Sequence, residues 1–266
     1  MDVLKKVERF YENFRGEKGV IGKSVFNNPI YYMAIKKTET PKIILTYSIH
    51  AREYITALLS LKQIKRFSMS AKFGTAYFVP LINPDGVQIA QKENPLYKAN
   101  GRGVDLNVNF DARWGTGEKN AFNSGAENYI GKSPFSEPET MAIRDFTLKI
   151  TPDLTISYHA KGEEIYWEFF QTEDNRLRDE KIAKLVADIT GYAIKSTPNS
   201  AGGYKDWCVE KLKIPALTIE VGDDKLTHPI GKKYLRGIYK KNKFVAERSA
   251  EFLWRENAKK IHETSD

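Results

Sequence analysis

The chain has 266 residues, 41% hydrophobic and 29% charged, which suits one sizeable folded core and excludes a disordered or low-complexity polymer. No apolar run approaches the ~18 residues that cross a bilayer, so no membrane span is expected. Lysine and arginine exceed aspartate and glutamate by 8 (42 − 34), yet no nucleic-acid motif or interleaved aromatics accompany the excess, so no nucleic-acid partner is expected.

In chain order, MDVLKKVERFYENF reads as an amphipathic helix without an apolar core of signal-peptide length. No Sec export signal is read there, and the expectation is a cytoplasmic protein, with cell-wall association by another route left open. IILTYSI (43–49) is β-rich and runs into a helix with Ile55, Leu58, Leu59 and Ile64 at its apolar positions. TAYFVPLI (75–82) is a second strand, ended by the turn signal NPDG. The Gly- and Asn-rich stretch 83–135 is irregular, and so long a loop inside a compact domain points to function.

Ser136, with Glu139 three residues on and Pro138 between them, forms a capping pattern that starts a helix to 150. DLTISYH (153–159) is a strand, 177–190 a helix, and YKDWCVEKL a helical segment. The segment holds the sole cysteine, Cys208, which excludes an internal disulfide and reads as a buried small thiol rather than a nucleophile. PALTIEV (215–221) is a further strand, and a final helix runs roughly from 232 to 256. Its basic run, GKKYLRGIYKKNK, is either a solvated helix face or a surface that favours an anionic partner. The alternation predicts a single α/β domain over 1–266, a parallel or mixed sheet with helices on both faces, and a ligand site at the carboxyl ends of the strands.

Two of the four histidines, His50 and His159, close apolar strands. His50-Ala-Arg-Glu53, where a strand enters a helix, places an imidazole and a carboxylate close together, and His159 can add a second imidazole. Zinc takes such a set, with three protein donors and an open position in a catalytic site. The blander reading is a pair of structural histidines. Glu220 ends another apolar strand; burial there raises a carboxyl group toward the range of a general base, whereas a surface position would leave it paired with lysine. Lys98 and Arg102 are candidate cations for an oxyanion, or else residues of a solvated loop. Asp105 either fixes the tautomer of a ligating histidine or caps a turn.

Taken in order, His50-Ala-Arg-Glu53, NPDG (83–86), GVDLN (103–107), NF (109–110), SEPET (136–140), SYH (157–159) and TIE (218–220) resemble the zinc metallocarboxypeptidases of the carboxypeptidase A type, peptidase family M14. The resemblance implies a mixed, mostly parallel eight-stranded sheet with helices on both faces. It implies one zinc ion per chain on His50, Glu53 and His159, a water activated by Glu220, Asp105 bonded to the first zinc histidine, and substrate contacts at Arg52 and Asn107.

The sequence also departs from the family. GVDLNVNF carries Val108 where the family has an arginine that clamps a C-terminal carboxylate, and valine makes no such charge-assisted contact. Lys205 falls near the specificity-pocket position, where it would pair with a carboxylate on the leaving side chain. Pro198 occupies the place of the family's flexible tyrosine, leaving Tyr204 or Tyr192 as substitutes, or the role lost. The strict match to the oxyanion arginine is Lys98, with Arg102 four residues on. The short chain, LNVNFDA and GGYKDW are similar to the bacterial branch that hydrolyses the γ-D-glutamyl–meso-diaminopimelate bond of murein peptides. A murein-derived peptide substrate with no obligate protein partner is therefore expected; an ordinary carboxypeptidase, a zinc-dependent amidase on another substrate and an inactive binding module are the alternatives.

Overall fold

The computed structural model describes residues 2–263, with side chains as far as Lys259. In chain order it runs α1 (Val3–Asn13), β1 (Glu17–Lys23), β2 (Pro29–Lys36), β3 (Lys42–Tyr47), α2 (Ile55–Ser70), β4 (Thr75–Val79), α3 (Pro84–Lys92), α4 (Pro138–Ile150), β5 (Leu154–His159), β6 (Glu164–Tyr166), α5 (Glu173–Thr190), β7 (Ala193–Lys195), α6 (Tyr204–Glu210), β8 (Ala216–Glu220), α7 (Leu235–Asn242) and α8 (Val245–Glu263). All eight strands join one sheet in the order β1-β2-β4-β3-β5-β8-β6-β7. The pairs β3–β4, β3–β5, β5–β8 and β6–β7 are parallel; β1–β2, β2–β4 and β6–β8 are antiparallel.

The central strands β3, β4, β5 and β8 are buried at nearly every position. That is why they read as continuous apolar runs: helices cover both faces, so neither face alternates with solvent. Alternate residues still serve opposite cores. Ile43, Leu45 and Tyr47 join Val3, Leu59, Ile182, Ile238 and Val245 on one face, while Ile44 joins Ile143, Phe146, Trp207 and Cys208 on the other. A one-residue slip of β3 would exchange these sets, so the register at the strand ends is firmly specified.

Three local expectations are corrected. NPDG does not end a strand in a turn; Asn83 accepts from the Gly86 amide at 2.9 Å and Pro84 takes the first position, so the motif opens α3. Ser136 and Glu139 do not form a capping box: the cap position is Glu137, and Glu139 instead accepts from the Val25 amide and the Asn100 side chain. The last helix is broken between α7 and α8. Asn242 gives its carbonyl to Gln63 and its side-chain amide to Tyr192 and Ile238, which diverts the groups a continuous helix would use.

Candidate metal centre

The strands β3, β5 and β8 are neighbours and end at the same edge of the sheet. Past the end of β3 the chain turns at Ser48, whose Oγ lies 2.9 Å from Thr56 Oγ1 at the start of α2, and the Ser48 amide donates to the same oxygen. A short 3-10 turn over Ala51–Glu53 then folds Glu53 back on His50. His159 ends β5, and Glu220 is its direct neighbour across the β5–β8 ladder.

The three candidate donors converge. His50 Nδ1 is 2.8 Å from Glu53 Oε1, His159 Nδ1 is 3.2 Å from Glu53 Oε2, and the two Nδ1 atoms are 3.2 Å apart. All three residues are buried, and they form the one such donor group among the described residues. A tetrahedral zinc with bonds of ~2.0–2.1 Å holds its donors about 3.3 Å apart. The donor set and its spacing therefore fit zinc. On the far side of the ring, His50 Nε2 lies 3.2 Å from Asp105 Oδ1. The contact is bent for an aligned hydrogen bond, but it holds a ring proton on Nε2, so Nδ1 is the nitrogen that would offer its lone pair to a metal.

Charge follows this arrangement. Burial alone would raise Asp105, but Lys98 Nζ at 2.7 Å and His50 hold its carboxyl well below the usual range. Burial lowers His159, which is neutral as a ligand must be. Glu220 goes the other way. Burial first, and the Glu53 carboxylate second, push it well above the ordinary carboxyl value. Its Oε2 is buried without a hydrogen-bond partner.

A cavity of about 470 Å³ opens at this point, lined by His50, Lys98, Asp105, Asn107, Val108, Lys205 and Glu220 among others. Asn107 and Val108 stand side by side in it, and the Asn107 side-chain oxygen is 3.4 Å from the Tyr204 amide. Lys98 sits beside the metal donors, ion-paired with Asp105 and donating to Asn128 Oδ1 at 2.6 Å. Arg102 is not brought there. Asn100 accepts from the amides of Arg102 and Val104, and the turn this fixes sends the guanidinium out toward Glu137 at 3.7 Å. Arg52 also stays outside the cavity lining, 3.4 Å from both Glu127 and the Leu96 carbonyl.

Tyr204 as a substrate contact is corrected outright. Its ring packs on Phe110 and Trp207, and its hydroxyl lies 2.8 Å from Thr147 Oγ1 in the core. Tyr192 is buried as well and accepts from Asn242. The phenol that does reach the cavity belongs to Tyr166 at the end of β6, and its hydroxyl donates to Glu164. Tyr166 and the rim residue Lys119 escaped the sequence reading. Cys208 is fully buried, which pushes its thiol up to about 12 and leaves no thiolate for chemistry.

A mixed sheet with imidazole, carboxylate and imidazole gathered at adjacent strand ends, and a half-buried glutamate with one shielded oxygen beside them, defines a mononuclear metallohydrolase architecture. Residues 2–245 match the zinc carboxypeptidases, peptidase family M14, and the chain belongs to that family. The γ-D-glutamyl-L-diamino acid endopeptidase 1 of Lysinibacillus sphaericus is 28% identical over 268 residues, 87% of this chain and 66% of that protein. Human mast cell carboxypeptidase A is 28% identical over 62% of this chain and 45% of its own. The chain thus spans less than two thirds of the length of these curated relatives. Bovine thrombin-activatable fibrinolysis inhibitor, solved with a tick carboxypeptidase inhibitor, superposes with a TM-score of 0.82 at 22% identity over 95% of both chains. Murein-tripeptide amidase MpaA from Escherichia coli O157 superposes at 0.66 with 22% identity, over 92% of this chain and 94% of that one. At such identities the superpositions speak for the carboxypeptidase A-like fold.

Proposed function

We propose that the protein is a zinc peptidase that hydrolyses the γ-D-glutamyl–meso-diaminopimelate bond of murein-derived peptides. The observation that carries the hydrolase reading is the convergence of His50, Glu53 and His159 beside Glu220 on the neighbouring strand end, with His50 and Glu220 lining one cavity. His50, Glu53 and His159 would hold a zinc ion, which would supply Lewis acidity toward the scissile carbonyl and a water molecule. Glu220, with a raised pKa and an unpartnered oxygen, takes the proton from the attacking water and returns it to the leaving amine. Lys98, held beside the donors by Asp105 and Asn128, offers positive charge to the developing oxyanion. Asp105 orients His50.

The substrate rests on chemistry at the cavity wall together with the name of the Lysinibacillus relative. Val108 supplies no guanidinium for a terminal carboxylate. Lysines take its place: Lys205 is built into the wall, and Lys119 stands at the rim with no ion pair or hydrogen bond among the described residues. Diaminopimelate carries a second amino-acid centre at the end of its side chain, which gives these cations a target that ordinary peptides lack. The test is incubation of the zinc-loaded protein with L-Ala-γ-D-Glu-meso-diaminopimelate and, in parallel, with a standard C-terminal peptide, followed by mass spectrometry with and without a chelator. Release of free diaminopimelate, abolished by chelation, is expected. Cleavage confined to the standard peptide would refute the substrate reading, and activity untouched by complete metal removal would refute the mechanism.

A further inference from the structure

The pair Lys205–Asp206 is the part of the cavity that packing does not explain. The two residues are 6% and 3% exposed, both line the cavity, and Lys205 Nζ is 2.5 Å from Asp206 Oδ1. An ammonium has three N–H donors. One goes to Asp206 and one to the Glu168 carbonyl at 2.7 Å, which leaves the third over. Asp206 Oδ2 accepts from the Gly203 amide at 3.0 Å, so the carboxylate is anchored at the start of α6 while its oxygens keep spare lone pairs. A buried ion pair is seldom more stable than apolar residues of equal volume, and the Phe169 ring, 5.3 Å from Lys205 Nζ, adds only a cation–π contact. Capping of α6 accounts for a carboxylate at 206, but stability gives no reason to bury a lysine against it. The position of the pair does, in the wall of the cavity that His50 and Glu220 also line.

We infer that Lys205 and Asp206 act together to read a zwitterionic amino-acid centre at the far end of the leaving residue's side chain. The spare Lys205 N–H takes that centre's carboxylate, and the open lone pairs of Asp206 take its ammonium. A side chain ending in a carboxylate alone would set that charge against Asp206, and one ending in an ammonium alone would set it against Lys205. Only a group bearing both charges opposes each to its complement. The inference rests on the proposed γ-D-glutamyl peptidase activity and goes beyond Lys205 pairing with a lone carboxylate.

The test gives the zinc-loaded full chain three γ-D-glutamyl peptides that differ only in the leaving residue. These are meso-diaminopimelate, lysine (the same skeleton without the side-chain carboxylate) and 2-aminopimelate (the same skeleton without the side-chain amine). The expected result is a kcat/KM for each single-charge substrate at least about tenfold below that for diaminopimelate, the step that loss of one desolvated charge contact produces. Lys205→Met should narrow the ratio between diaminopimelate and lysine substrates. Where that variant does not fold, the wild-type series decides. Equal cleavage of the 2-aminopimelate peptide means that Lys205 reads a carboxylate alone, and equal cleavage of the lysine peptide means that Lys205 reads no carboxylate; either overturns the inference while leaving the peptidase reading intact. Cleavage of none of the three overturns both.

Discussion

Replacing Glu220 with glutamine changes one oxygen to an amide and keeps size and shape, so the β5–β8 ladder and the three metal donors should be undisturbed. What is lost is the group that carries the proton. A positioned general base contributes about 10²–10⁴-fold, or roughly 3–5 kcal/mol of barrier. The structure argues for the upper part of that range, because the substitute nearest to hand is engaged: Glu164 faces Glu220 across the β6–β8 ladder but accepts the Tyr166 hydroxyl. The assay is kcat/KM on the γ-D-glutamyl tripeptide, with zinc content and circular dichroism measured on the same samples, and Glu164→Gln as the control. Glu220→Gln is expected to keep its zinc and fold while losing more than about a hundredfold in rate. Glu164→Gln is expected to lose far less. A folded, zinc-replete Glu220→Gln variant with activity within a few fold of the parent would remove Glu220 from the mechanism.

Three further outcomes follow from the same geometry. In the metal-free chain burial would pull His50 down, but Glu53 and then Asp105 raise it to about 9. A raised histidine contributes stability that is complete below its unfolded value of about 6.5 and is lost as pH climbs through the folded value of about 9. Zinc must expel that proton, so affinity should rise about tenfold per pH unit from about 6.5 to about 9 and then level off; calorimetry in buffers of unlike ionisation enthalpy checks this, and a pH-independent affinity refutes it. Val108→Arg should raise kcat/KM on an N-blocked dipeptide with a free carboxylate by about tenfold, the worth of a charge-assisted contact; an unchanged value in a folded variant means that the pocket is closed by something else. Asn109, fully buried, donates to Ile130, Ser133 and Ser136 and accepts from Glu137 and Thr140. Asn109→Ala should therefore lower stability by roughly 3–5 kcal/mol, read from urea unfolding, and a loss under about 1 kcal/mol would contradict this account.

His50, His159 and Glu220 were legible because each stands at or just past the end of a largely apolar run: β3, β5 and β8 are covered on both faces, so an imidazole or carboxylate appears only where the run stops, and Glu53 follows His50 at a short offset. The outer strands lack that signature. β1 mixes exposed and half-buried positions and β2 mixes half-buried with buried ones, while β6 and β7 are three residues long and β7 is wholly exposed. Tyr166 was missed with β6, since nothing local distinguishes a cavity-facing aromatic on so short a strand. Tyr204 was misread because residues 204–206 are all buried yet serve different neighbours: the first faces the core, the next two line the cavity. Lys98 is the strict match in sequence and Arg102 stood beside it as a candidate; the turn closed by Asn100 separates them in space.

His50 and His159 are 109 residues apart in the chain, and they meet only when β3 and β5 are laid side by side. No short segment emerging during synthesis can therefore gather both imidazoles. The ion recognises a finished centre of the sheet and, by binding it, draws the folding equilibrium toward the native state. Glu220 arrives later still, on a strand made 61 residues after His159, so the proton carrier takes its place at a pocket whose donors precede it in the chain. Chelation should on this account cost the protein thermal endurance as well as turnover.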